Sequence, residues 1–207
     1  MKKFIYITIL ALIFNGCSIP TSTLDKTQSF ILKNDELPLQ ANFIKSDKIL
    51  KIQNASLPLY LHSRSIIYVQ KGISKAYAYH FWADLPNNLY QSLLLSKFEQ
   101  SQIFKALLSQ GSSVGSDYIL ESRIDSFEQV VNENENVVNE NENYVSISIS
   151  INFIDAKESK IIAHRLFSIK ERVKKIDIFD VYQSFEKALN SLGNEIVLWI
   201  NATLDEK

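Results

Sequence analysis

Chemistry on a substrate needs nucleophilic or titratable side chains brought together, and few side chains in these 207 residues stand out for it: Cys17, His62, His80 and His164. No histidine has a partner at a useful spacing. His164 sits beside Arg165 in a predicted strand, His80 precedes Phe81 and Trp82, and His62 precedes Ser63 in a predicted turn. The metalloprotease HExxH, the G-x-S-x-G elbow, the P-loop and CxxC are all missing. Asp84, just before Leu85-Pro86, reads as a helix cap rather than a general base. One acidic cluster remains. VNENENVVNENEN, Val131 to Asn143, is a near-perfect tandem duplication carrying Glu133, Glu135, Glu140 and Glu142. Carboxylates and amides suit a hard cation, but the Asp, Gly and terminal Glu of a calcium loop are not at their fixed positions. A polar repeat with no apolar face reads as a solvated hairpin loop. We therefore expect no catalytic residue, no metal and no cofactor, and a chain that is not an enzyme.

Cys17 is positioned by what precedes it. Lys2 and Lys3 are followed by an apolar run from Phe4 to Phe14, the length of a signal h-region. A membrane-crossing helix needs about 20 apolar residues, and Asn15, Gly16, Ser18 and Pro20 close this run early. The segment reads as an export signal over residues 1–16, ending at small Gly16 and the only cysteine of the chain. It resembles the bacterial lipobox, with Phe14 and Asn15 as its departures. Lone cysteines are ordinarily buried thiols, but position, charge, apolar length and Gly16 together favour diacylation of Cys17 and cleavage before it. With no second cysteine there is no disulfide, so the fold stands unstapled in an oxidising periplasm. Ser18 stands where an aspartate would signal retention at the inner membrane, which points to the periplasmic face of the outer membrane.

About 190 residues remain after the signal, enough for one domain with a substantial core. Taking Lys2 and Lys3 from the 22 basic residues leaves 20 against 23 acidic ones, a net charge of −3. Mixed charge of this size argues against electrostatic binding to nucleic acid or to anionic lipid, which needs clustered Lys and Arg.

The elements follow in order. Residues 17–28 are Ser/Thr-rich and read as a tether, with the domain proper over 29–205. Phe30–Leu32 and Lys48–Gln53 are strand candidates, and Ile66–Gln70 and Ile73–Phe81 form a hairpin about Gly72. In the second arm Tyr77 and Tyr79 share one face. Pro86 opens a helix to about Glu99, with Leu85, Leu89, Leu93 and Phe98 in its stripe. Gln100–Gln110 either extends that helix or begins a short strand. Asp117–Val131 reads as a long strand with a bulge where parity slips. Tyr144–Ile154 alternates cleanly, Val145, Ile147, Ile149, Ile151 and Phe153 against Ser146, Ser148, Ser150 and Asn152. Lys160–Ile169 pairs with it antiparallel. Asp177 then caps a helix to about Thr203, whose stripe runs through Val181, Phe185, Leu189, Leu192, Ile196 and Trp199.

The runs LPLYLHSRSIIYVQ, Leu57 to Gln70, and FWADLP, Phe81 to Pro86, resemble the auxiliary lipoproteins of ABC-type transport systems, the family that contains the lipoprotein partners of MCE lipid transporters. Leu57, Pro58, Leu61, Arg64, Ile66, Tyr68, Trp82, Ala83, Asp84 and Leu85 match its pattern, as do Phe127-Glu128 and Trp199. The Asn/Glu duplication and Ser65, where many members have proline, depart from it. These residues read as fold signature: Pro58 sets a strand's entry angle, and Trp82 fills space between sheet and helix. The resemblance implies a single α/β or α+β domain, with a mixed, mostly antiparallel sheet and two main helices, related to the amino-terminal domain of TolB. It implies a non-catalytic role beside a periplasmic MCE-domain protein and, through it, a permease and ATPase, with phospholipid as cargo and a homo-oligomer as one route for it. A lipid-binding carrier and an outer-membrane assembly lipoprotein are the alternative readings.

Overall fold

The computed structural model describes residues 26–37, 43–131, 143–175 and 177–206. Cys17 and residues 132–142 of the Asn/Glu duplication lie outside them. Eight strands make one mixed sheet, and two helices cover one of its faces.

The frame is a three-stranded meander of unusual length. Strand β6 (Tyr118–Val131) pairs antiparallel with β7 (Asn143–Asp155) from Tyr118↔Asp155 to Val131↔Asn143, and β7 pairs with β8 (Lys160–Arg172) over nearly its whole length. The slip anticipated in β6 falls between Ile124 and Ser126. Val145, Ile147, Ile149, Ile151 and Phe153 are all fully buried, while the serines between them stay partly exposed. Strict two-residue alternation therefore gives this sheet one apolar face and one polar face.

The other edge of β6 is shared. Strand β2 (Ile49–Ile52) runs parallel to Tyr118–Leu120 at its start, and β3 (Ser65–Gln70) runs parallel to Gln129–Val131 at its end. Strand β4 (Ile73–Trp82) pairs antiparallel with β3. Short parallel strands β1 (Gln28–Phe30) and β5 (Ala106–Ser109) flank β4 and β2. Strand β1 thus begins two residues earlier than Phe30–Leu32, and Gln28 belongs to it rather than to the tether. Within β4 the pairing jumps from Ser65↔Phe81 to Ile67↔Ala76. That irregularity breaks the expected alternation: Tyr77 is half-buried and meets the ring of His80, three residues on, at 6.3 Å, while Tyr79 stays exposed.

Helix α1 (Pro86–Ser101) starts on Pro86, and its cap residue is Leu85 rather than Asp84. The residue before a proline is driven into extended backbone, so Leu85 takes the cap conformation and no side chain caps the helix. Asp84 instead accepts from the Leu85 N–H at 2.7 Å and the Asn88 amide at 2.8 Å. Gln102, left-handed at φ 51°, ends the helix, and its N–H returns to Phe98 and Glu99 carbonyls. This turn settles the ambiguous stretch as strand β5. Helix α2 (Ile178–Asp205) is capped as anticipated: the Asp177 carboxylate accepts from Phe179 and Asp180 N–H groups at 2.8 and 3.1 Å. The helices touch at Gly193, where a Cβ would stand 2.5 Å from Leu93 Cδ2, so only glycine allows this approach without displacing Leu93.

Between β1 and β2 the chain straps the helices. Its backbone is held by side chains: Lys33 N–H by Glu186, Asp35 N–H by Asn190, Leu37 N–H by Gln100 and Ile44 N–H by Asn201, all at 2.8–2.9 Å. Asn190 also donates to the Lys33 carbonyl, and buried Lys97 donates to the Asp35 carbonyl at 2.6 Å. Burial pushes the Lys97 ammonium below its ordinary range, against the pull of the Asp35 carboxylate.

Candidate docking face

The matched motifs divide between core and surface. Trp82 is fully buried, with ring centroids 5.6 Å from Phe127 and 5.0 Å from Phe185, which stand 4.9 Å apart. This aromatic triangle joins β4, β6 and α2. Ala83 donates its N–H to the Phe30 carbonyl, and Trp82 donates its own to the Arg64 carbonyl at 2.7 Å. Trp199 is half-buried, 5.5 Å from the Phe167 ring on β8.

The Leu57–Arg64 run lies where β2 gives way to β3 along β6. After β2 the chain still pairs with β6: Gln53 N–H reaches the Leu120 carbonyl, Ser56 N–H the Ser122 carbonyl, and Ile124 N–H the Ser56 carbonyl, each at 3.0 Å. Two residues later comes Pro58, which has no N–H to offer a ladder, and a single 3₁₀ turn follows over Leu59–Leu61. Leu61 is buried and anchors the turn, Leu57 packs at the core's margin, and Leu59 is 87% exposed. Arg64 is exposed. Tyr60 reaches back over the sheet, donating to Glu128 Oε2 at 2.7 Å. Burial and then the Glu128 carboxylate both push its phenol up, so it stays a neutral donor.

Beside this turn runs a groove of about 200 Å³ lined by Ser56, Leu57, Pro58, Arg123, Ile124 and Asp125. It shares Ser56 and Arg123 with a second, of about 230 Å³, that extends to Glu121, Ser150, Asn152 and His164 on the polar face. The two charges of the first groove, Arg123 and Asp125, satisfy one another. Arg123 Nε donates to Asp125 at 2.6 Å and Ser150 Oγ donates to the same carboxylate at 2.8 Å. Partial burial works against ionisation of Asp125, yet these donors outweigh it and hold the carboxyl below its ordinary range. His164 Nδ1 lies 2.8 Å from Asn152 Oδ1, and His62 Nε2 lies 3.0 Å from the Leu57 carbonyl oxygen. Ser150 therefore faces a carboxylate already occupied by arginine, and no histidine is bonded to it: the nucleophile–base contact that acyl transfer requires is absent here. Among the described residues no three His, Cys, Asp or Glu side chains converge as metal ligands. The arrangement suits recognition by hydrogen bonds and shape.

The alternation of Arg123 and Asp125 on one face of a predicted strand was a signal for this pair. Tyr60–Glu128 had none, being 68 residues apart.

Comparison with known proteins agrees with the motifs. The profile of the ABC-type transport auxiliary lipoprotein component family matches residues 32–197. The uncharacterized protein bll6063 of Bradyrhizobium diazoefficiens is 25% identical over 150 residues, 72% of this chain, and the chain spans only 38% of that protein's length. Among solved structures, protein XCC0632 of Xanthomonas campestris superposes with TM-score 0.76 at 19% identity, over 87% of this chain and 98% of that one. The hypothetical protein CT253 of Chlamydia trachomatis superposes with TM-score 0.56 at 9% identity, over 78% and 100%. At these identities the two structures speak for the fold alone.

Proposed function

The chain belongs to the family of ABC-type transport auxiliary lipoprotein components, and from that premise we propose that it is a non-catalytic accessory of a lipid transport system. In this reading Cys17 carries the lipid that holds the chain at the periplasmic face of the outer membrane. The docking face beside the 3₁₀ turn receives a periplasmic MCE-domain protein, which connects to an inner-membrane permease and ATPase.

The observation that carries the docking role is the pairing of a largely exposed Leu59 with a groove whose charges are already satisfied. An exposed apolar side chain beside preorganised polar groups is the composition of a contact centre with a polar rim. The grooves of about 200 and 230 Å³ beside the turn lie below the range of enclosed small-molecule sites, so this face suits a protein surface rather than an enclosed lipid. Crosslinking the membrane-anchored chain in cells and recovering it by a tag should bring down an MCE-domain protein, with recovery reduced severalfold by Leu59→Asp. If no such protein is recovered from the unmutated chain, the proposal is wrong.

A further inference from the structure

Three exposed apolar side chains crowd the corner where the chain enters the fold. Ile31 is 68% exposed, Phe179 57% and Tyr79 46%. Phe179 flanks buried Phe30 with its ring 5.9 Å away; Ile31 follows Phe30 in the chain, and Tyr79 precedes His80, whose ring lies 6.0 Å from that of Phe30. Tyr182, one turn beyond Phe179, stacks on Phe30 at 5.1 Å and donates its hydroxyl to the Ile31 carbonyl at 3.0 Å. The group is therefore held rigidly on the first turn of α2 and on β1 and β4. Exposed Lys26, Lys33, Lys174 and Lys175 lie in the chain segments around it. Exposed aromatic and aliphatic tips suit the boundary between water and acyl chains, where they insert beneath the headgroups.

We infer that this corner is a membrane contact: Ile31, Tyr79 and Phe179 insert into the phospholipid surface that holds the chain's lipid anchor. The inference rests on lipidation at Cys17. Eight residues lie between Cys17 and Lys26, and those nine chain steps span at most about 30 Å, so a lipidated Cys17 keeps this corner within that distance of the bilayer whatever path the intervening chain takes. The opposite end is remote. Val114, 55% exposed, precedes β6, and Tyr118 at the start of that strand is about 30 Å along it from Phe127, which is level with Trp82. Exposed Asp35, Glu36 and Asp177 lie in the same segments and offset the lysines, so apolar insertion rather than charge dominates the contact.

The test exploits the lone cysteine. The full chain, isolated with its anchor, is reconstituted in vesicles of phosphatidylethanolamine with a minority of phosphatidylglycerol. Cysteine is introduced singly by Phe179→Cys, Tyr79→Cys or Val114→Cys and labelled with a nitroxide. A label inserted in lipid meets dissolved oxygen more and a water-soluble nickel chelate less. We expect the oxygen-to-chelate ratio to be severalfold higher at 179 and 79 than at 114, little changed by salt. In an Ile31→Ser/Phe179→Ser background the ratio at 79 should fall to that at 114; all four positions are exposed, so circular dichroism should be unchanged. Equal ratios at the three positions, or protection from both probes at 179 as a protein partner would give, overturn the inference while leaving the anchor intact. Labelling of Cys17 itself, with an N-terminal fragment lacking acyl mass, overturns the lipidation premise and this inference with it.

Discussion

Trp82 stands in the motif that carries the family resemblance, yet its surroundings assign it to packing. Its indole closes a triangle with Phe127 and Phe185 and has no exposed surface. Trp82→Ala should cost about 3–5 kcal/mol in urea unfolding, and Trp82→Phe appreciably less, with partner recovery following stability rather than falling independently. Asp125 belongs to the surface. Because Arg123 and Ser150 hold its folded carboxyl below the ordinary range, the ionised form stabilises the fold above the unfolded carboxylate range near pH 4. That contribution disappears as pH falls through the lower folded value. Asp117, held down chiefly by Lys157, acts in the same sense. The unfolding midpoint should therefore drop on acidification below about pH 4, and the drop should be shallower in Asp125→Asn.

At the scale of elements, legibility followed periodicity. Tyr144–Ile154 and the stripe of α2 repeat without interruption for many residues, and both elements lie where their patterns put them. Strand order was not legible. Strands of three to six residues such as β1, β2 and β3 carry no mark of which neighbour they will join, so the division of one β6 edge between β2 and β3 is visible only in three dimensions. The strap over 31–37 was invisible for a different reason: its hydrogen bonds go to side chains about 60 to 155 residues away. The signal that existed was polar Asn190 within the apolar stripe of α2. It bonds Asp35 N–H, the Lys33 carbonyl and its own helix at Glu186. Asn190→Leu strands the Asp35 N–H and the Lys33 carbonyl, and we expect a loss of about 1–3 kcal/mol together with faster amide exchange at Asp35 than in the sheet.

For the whole molecule, anchor and fold should be separable. No helix among the described residues is long and apolar enough to cross a membrane, and the core runs through both helices and the sheet from Phe30 to Ile200. Cys17→Ser should therefore leave the melting temperature of the folded domain unchanged while abolishing acylation and co-fractionation with membranes. A fall in melting temperature would mean that the segment around Cys17 packs on the fold.

The strap acquires a mechanical meaning in such a molecule. Were the proposed lipid anchor and docking partner to hold the chain at its two ends, the chain would bear tension, with the load entering at residue 26. Strand β1 lies parallel to β4 in only three register pairs, and pulled along its own axis it is loaded in shear, so those pairs yield together rather than one by one. Beyond them the load passes through Glu186, Asn190, Lys97 and Gln100 into both helices at once. The side-chain clamps on 33–37 spread a point force over the helical layer before it can peel the sheet.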